Sequence, residues 1–363
     1  MSKSFLKQAL EGYEPYVPGE QPPAGGDWVK LNTNESPLPP SSKVIEAIKA
    51  ATGDSLRLYP SPTAAPARKA IAEHFGLEAN QVALGNGGDE LIEMCFRAFV
   101  GAGERVAYST PTYPLLDPLC KVHEAIPSTH PTAEGWTWTE ELFEDTAPLK
   151  FLVNPNSPTG THHGRRSVER VLARSRGVVV LDEAYVDFAS ESQLDLIGKF
   201  PNLIILRTMS KSYALAGMRI GFALANADLI AALDAVKDSY NMDRLAIVAA
   251  VAAIEDEPHH RKIVDYVVGE RAWLEEQLRE EGFEHAPSAA NFAFVKPPQG
   301  SSAAAVADAL RERRVLIRHY HREPIAGWFR ITIGMRDQHE RLLTALKEIL
   351  WRPRRPATKP GSW

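Results

Sequence analysis

The sequence predicts an α/β fold, with a large domain on a mostly parallel sheet and a smaller α+β domain toward the C-terminus. Three observations carry this expectation. Nearly continuous apolar runs, such as GVVVLD at 177–182 and NLIILR at 202–207, suit strands covered on both faces, as in a parallel sheet. Such runs alternate with stretches of helical length, the order of βαβ units. After residue 244 the texture shifts to long helical segments separated by single strands.

Taken in order, residues 1–30 carry PYVPGEQPPAGGD and read as an arm, because Pro and Gly favour turns over packed elements. The large domain is expected over 31–244. Its strands fall at 82–84, 105–108, 149–153, 177–182, 203–207 and 220–224, with helices at 41–51, 64–75, 89–99, 165–175 and 227–238. The small domain is expected over 245–351, with the arm joining it. It begins in a helical stretch at 244–282 that breaks at Glu257-Pro258. Strand NFAFVK, helix 302–313, strands VLIRHY and WFRITIG, and helix 337–350 follow. The basic, proline-bearing end RPRRPATKPGSW, 352–363, reads as a disordered tail.

Composition narrows the function. The chain has 363 residues, 44% apolar and 24% charged, an ordinary soluble balance with room for about two domains. No run approaches the ~18–20 apolar residues of a membrane span, and the N-terminus lacks the apolar core of a signal peptide. Forty-one basic against 46 acidic residues, a net charge of −5, argue against nucleic acid as the main ligand. Cys95 and Cys120 make neither a disulfide framework nor a metal cluster. The pairs His162-His163, His259-His260 and His319/His321 lack further ligands at metal spacing, so no metal is expected. The expected compartment is the cytoplasm.

Five segments carry chemistry. In LRTMSKSYALAGMRIG, Lys211 follows a strand and Arg219 comes eight residues later. That pairing suits a Schiff-base amine beside an anionic group, although an isolated Lys there also reads as a solvated loop residue. GVVVLDEAYVDF runs a strand into Asp182 and Tyr185, at the strand end where α/β sheets place ligands. Asp182 suits a protonated heterocycle nitrogen or, alternatively, a turn cap. FLVNPNSPTG presents the amides of Asn154 and Asn156 in a turn-rich loop. LGNGGDELIEMCFRAF sets Gly87 and Gly88 before a helix whose first turn holds Asp89, a cup for phosphate or simply a tight turn. It matches neither the GKS/GKT loop nor the GxGxxG fingerprint. Tyr113, in STPTYPLLDPL, suits stacking on a flat ring or an ordinary place in the core. Together these are the parts of a pyridoxal 5'-phosphate site.

In this order the motifs resemble the fold type I pyridoxal-phosphate enzymes, and more narrowly the histidinol-phosphate aminotransferases. The resemblance runs from LNTNESPLPP through YPSP, GNGGDE, PTY, NPNSPTG, DEAYVDF, RTMSKSYALAGMRIG and SYNMDRLA to FRITIG. It implies a mostly parallel, seven-stranded sheet between helices in the large domain, and that Lys211 holds the cofactor and moves the substrate proton. Asp182 would keep the pyridine nitrogen protonated, Tyr185 would contact the ring oxygen, and Tyr113 would stack on the ring. Gly87, Gly88, Asp89, Ser210 and Arg219 would surround the phosphate. Tyr59 would reach the phosphate of a neighbouring subunit, making the protein a homodimer. Arg330 would bind glutamate's carboxylate and the phosphate of histidinol phosphate in turn, helped by Arg318 and Tyr16.

Many members carry Asn immediately before PTG, where this chain has Ser157; either Asn156 substitutes or Tyr185 acts at the ring oxygen with less help. The implied activity is transamination between L-histidinol phosphate and 2-oxoglutarate, a step of L-histidine biosynthesis. An aromatic amino acid aminotransferase and a phosphothreonine decarboxylase share these motifs and are the alternatives. A regulator with an aminotransferase-like domain is the rival from another class, and the short arm leaves no room for its DNA-binding domain.

Overall fold

The computed structural model describes residues 5–350 except 8, 9, 14 and 24; the basic tail expected at 352–363 lies outside them. Twelve strands form two sheets among the described residues. In chain order they are β1 (Val29–Leu31), β2 (Val82–Asn86), β3 (Arg105–Thr110), β4 (Ile126–Pro131), β5 (Leu149–Val153), β6 (Val178–Asp182), β7 (Leu203–Thr208), β8 (Ile220–Ala225), β9 (Glu284–Ala286), β10 (Phe292–Lys296), β11 (Val315–His319) and β12 (Phe329–Thr332).

The larger sheet has the order β2-β8-β7-β6-β5-β3-β4. It is parallel except for β8, which runs antiparallel to both neighbours. The period of two along each strand feeds two cores. Val179, Leu181, Leu203 and Ile205 pack on one face with helices Ser42–Ala51, Ala65–Phe75, Arg165–Arg174 and Arg244–Ile254. Val180, Ile204 and Leu206 pack on the other with helices Gly88–Phe99 and Ala227–Val236. Being buried on both faces explains why these strands read as continuous apolar runs.

The smaller sheet has the order β1-β11-β12-β10-β9. Its core holds Ile263, Val267 and Leu274 of helix Glu257–Glu280 and Leu342 and Leu346 of helix Arg336–Leu350. Tyr185 and Phe188, which follow β6, also pack into this core and join the two layers.

The larger sheet has the seven strands expected; the one the strand list leaves out is β4, because the residues of IPSTHP are exposed or half-buried and it lies at the sheet edge, where Pro is tolerated. Two boundaries need correction. The boundary expected at 244/245 is displaced, because the apolar helix Arg244–Ile254 buries Ala246, Ile247, Ala249 and Ala250 in the larger core. Asp243 starts that helix by accepting from the N–H groups of Leu245 and Ala246. Finally, β1 straddles the expected arm boundary and pairs in parallel with β11, so the arm returns to the smaller sheet.

Candidate active site

Thr110, Val153, Asp182 and Thr208, at the C-terminal ends of β3, β5, β6 and β7, line one cleft of about 1040 Å³. Parallel strands that end together leave such a crevice where the following loops diverge. The same cleft is lined by Tyr16, Gly88, Asp89, Tyr113, Ser157, Tyr185, Ser210, Lys211, Arg219, Arg318 and Arg330.

At one end lies the start of helix Gly88–Phe99, whose N-cap, Gly87, offers no side-chain hydrogen bond. Free N–H groups at a helix start attract anions. Gly87 has φ of +87°, and a Cβ there would come within 2.4 Å of Arg219 Nη2. Gly221 on β8 is equally constrained, since its Cβ would sit 2.7 Å from the Gly88 nitrogen. Both glycines let backbone and guanidinium close around the cup. Arg219 reaches Asp89 at 3.5 Å, and Tyr113 Oη donates to the other Asp89 oxygen at 2.9 Å. Ser210 follows β7 and shares a hydroxyl hydrogen bond with Thr208 at 3.0 Å.

In the middle, Asp182 ends β6. Burial pushes its carboxyl up to about 6, against the Ala184 N–H and the Lys211 charge, which both draw it down. An ionised carboxylate here has no ion pair among the described residues and would be relieved by a positive ligand atom. Lys211 Nζ lies 5.8 Å from the Tyr185 ring centroid. Asn34 Nδ2 donates to the Tyr185 hydroxyl at 3.0 Å.

At the other end, Arg318 on β11 is directly opposite Arg330 on β12. Like charges facing across antiparallel strands repel, so the pair favours an anion between them. Arg330 donates to Ser157 Oγ at 3.0 Å and to the Asn32 carbonyl at 3.1 Å, and its buried Nε has no partner among the described residues. Arg318 donates to the carbonyls of Val17 and Pro18 at 3.0 and 3.3 Å, pinning the arm over the cleft. Tyr16 is thereby brought 6.0 Å from the Tyr113 ring. Burial raises its hydroxyl pKa, with both arginines opposing.

A family profile, aminotransferase class I and II, matches residues 26–346. The chain belongs to that family. Within it, this aminotransferase is 41% identical to the histidinol-phosphate aminotransferase of Syntrophotalea carbinolica, with 92% of this chain and 96% of that protein covered. It is 42% identical to histidinol-phosphate aminotransferase 1 of Methylococcus capsulatus, with 95% and 98% covered. Its fold matches the crystal structure of histidinol-phosphate aminotransferase from Sinorhizobium meliloti in complex with pyridoxal-5'-phosphate. The TM-score is 0.87 at 29% identity, with 96% and 98% covered.

The residues of this aminotransferase fit that cofactor class on their own chemistry. An uncapped helix start with Arg219 suits a phosphate, a half-buried carboxylate with no ion pair among the described residues suits a pyridinium nitrogen, and Lys211 opens into the same cleft. Of the residues singled out in the sequence, Tyr16, Gly88, Asp89, Tyr113, Asp182, Tyr185, Ser210, Lys211, Arg219, Arg318 and Arg330 come together there. Gly87 shapes the rim through its contact with Arg219.

Asn156 does not join them, which corrects the expected substitution for Ser157. Its Oδ1 accepts from Thr112, and its Nδ2 donates to Pro111 O and Thr159 Oγ1. The amide is consumed in bracing its own loop, while Ser157 faces the cleft. Tyr59 lies outside the cleft of its own chain, 78% exposed and stacked on Tyr240 at 4.5 Å. Reading the sequence missed Asn34 and Asn32; their only signal was membership of the LNTNESPLPP segment.

Proposed function

We propose that the chain is a pyridoxal-phosphate-dependent transaminase that exchanges an amino group between L-histidinol phosphate and 2-oxoglutarate, a step of L-histidine biosynthesis. The observation that carries this reading is the Arg318–Arg330 pair, facing across β11 and β12 in the cleft that also holds Lys211 and Asp182. Histidinol phosphate brings a phosphate and no carboxylate, and glutamate the reverse. A pair of guanidinium groups accepts either anion through parallel N–H donors.

Bound at this site, pyridoxal phosphate supplies the conjugated ring that accepts electrons from the substrate Cα–H bond. The chain does the rest. Lys211 Nζ would take the proton at Cα and deliver it to the cofactor's aldehyde-derived carbon, C4′, rather than back to Cα. The Asp182 carboxylate holds the ring nitrogen in its protonated form, which keeps the ring electron-poor. Tyr185 donates to the ring oxygen, and Tyr113 covers the ring face. The Gly87–Asp89 turn, Ser210 and Arg219 hold the cofactor phosphate. Arg330 and Arg318 orient the far end of each substrate, and Tyr16 on the pinned arm shields that end from water.

The reading extends to a cytoplasmic homodimer in which Tyr59 reaches the partner's phosphate site. Leu56, Leu58, Tyr59 and Tyr240 expose apolar surface close together in the chain or in contact, the sort of patch that a second subunit covers. Cys95 and Cys120 are free and buried, as a reducing compartment allows.

The test is a comparison of kcat/KM for amino transfer from L-histidinol phosphate and from L-phenylalanine to 2-oxoglutarate. A clear preference for histidinol phosphate is expected. A preference for phenylalanine, or carbon dioxide release from phosphothreonine without amino transfer, would overturn the substrate assignment.

A further inference from the structure

Asn34 is buried, 1% exposed, and has φ of +55°, a conformation that Asn tolerates better than most residues. It connects the two layers of the molecule. Its backbone N–H donates to Thr332 Oγ1 at 2.9 Å, and its carbonyl accepts from Asn291 Nδ2 at 3.0 Å. Thr332 has one hydroxyl proton. With its oxygen accepting from the Asn34 N–H, that proton goes to Asn34 Oδ1, 3.0 Å away. The Asn34 amide is set with Oδ1 accepting from Thr332 and Nδ2 turned toward Tyr185.

An amide NH₂ donates and does not accept. The Tyr185 hydroxyl consequently accepts from Asn34 and keeps its own proton for another partner. Among the described residues no second group makes a hydrogen bond to that hydroxyl, and Tyr185 lines the cleft. The position where the resemblance expects a donor amide is Ser157, whose oxygen is engaged by Arg330. The Tyr185 hydroxyl is therefore a donor available to the cofactor's ring oxygen.

We propose that Asn34, locked in orientation by Thr332, is a positioning residue that makes the Tyr185 hydroxyl a donor toward the ring oxygen of bound pyridoxal phosphate. The inference rests on the cofactor reading above. It also links substrate and cofactor contacts: Thr332 and Arg330 are two residues apart on β12, on one face of the strand.

The test is the pH titration of the visible absorption of the holoenzyme. A donor at the ring oxygen draws off negative charge that would otherwise hold the neighbouring proton, so losing the donor raises the midpoint. In Asn34→Asp the carboxylate takes the Tyr185 proton, and the midpoint should rise by about one pH unit. Asn34→Gly keeps both backbone hydrogen bonds, tolerates φ of +55° and adds no charge; its midpoint should rise by less. Tyr185→Phe should raise the midpoint by itself, and neither Asn34 substitution should then add to it.

Unchanged midpoints in both single variants would overturn the proposal. So would shifts that persist undiminished in the Tyr185→Phe background, since those would not act through the hydroxyl. If Asn34→Asp does not fold, Asn34→Gly alone decides. A wild-type protein that takes up no pyridoxal phosphate would instead sink the cofactor reading, which keeps the two failures apart.

Discussion

Asp182 and Asp187 lie five residues apart after the same strand, and burial leads them to opposite ends. Asp182 faces the cleft with a single backbone donor, the Ala184 N–H at 2.9 Å, and burial raises it to about 6. Asp187 does not line the cleft. Burial pushes it up as well, but His260, Arg207 and Ser212 outweigh that and hold it at about 2. The arginines show the same contrast. Arg207 pairs with Glu183 and Asp187, each at 2.9 Å, whereas Arg330 donates to a hydroxyl and a carbonyl, lies over the Phe292 ring and meets no carboxylate among the described residues. Burial alone therefore does not mark a functional group here. A buried charge whose partner is missing from the chain marks the ligand site, and one whose partners are all in the chain braces the loop behind it.

The largest expected effect breaks the cleft half of this contrast. Asp182→Asn should lower kcat for transamination by about 10²–10³-fold, the scale of losing one preorganised electrostatic partner, while circular dichroism stays that of the wild type. Near wild-type turnover would remove Asp182 from its assigned role. Arg330→Ala comes next. With both substrate anions losing the same donor, KM for histidinol phosphate and for glutamate should rise together, by about 10²-fold. A rise for only one substrate would mean that the two anions use separate sites.

Asp187→Asn should do the converse. Activity should stay within tenfold, but chemical denaturation should show a loss of about 3 kcal/mol, because Arg207 is left with one buried carboxylate in place of two. The smallest effect is in the pH dependence of the cofactor-free protein. Asp182 has a folded pKa above its ordinary 3.8, so its contribution to stability is present below pH 4 and lost as pH rises through about 6. Asp187 is depressed, so its contribution is present above 3.8 and lost as pH falls through about 2. The melting temperature of cofactor-free Asp182→Asn should lack the decline between pH 4 and 6 that Asp182 gives the wild type.

Much of this was legible in the sequence, for reasons that particular residues make plain. β6 and β7 announced themselves because both faces are covered, and the groups at their ends follow from chain order. β4 did not, because an edge strand exposed along IPSTHP has no apolar signature. Helix Arg244–Ile254 was placed in the wrong layer, since an apolar helix does not say which core receives it. Asn156 and Ser157 were exchanged because adjacent loop residues point in opposite directions, and only the hydrogen bonds to Thr112 and Arg330 separate them. Asn34 was invisible as a contact because its partners, Tyr185 and Thr332, are 151 and 298 residues away.

Two lysines offer the most direct check. Lys150 is fully buried, and burial lowers it to about 8, a value that by itself suggests a reactive amine. Its Nζ is spent on the Leu142 carbonyl at 2.8 Å, and it does not line the cleft. Lys211 does. Borohydride reduction of the holoenzyme followed by peptide mass mapping should place the cofactor's added mass on Lys211 alone, and Lys211→Ala should abolish the label. Label on Lys150, or label that survives Lys211→Ala, would contradict the account.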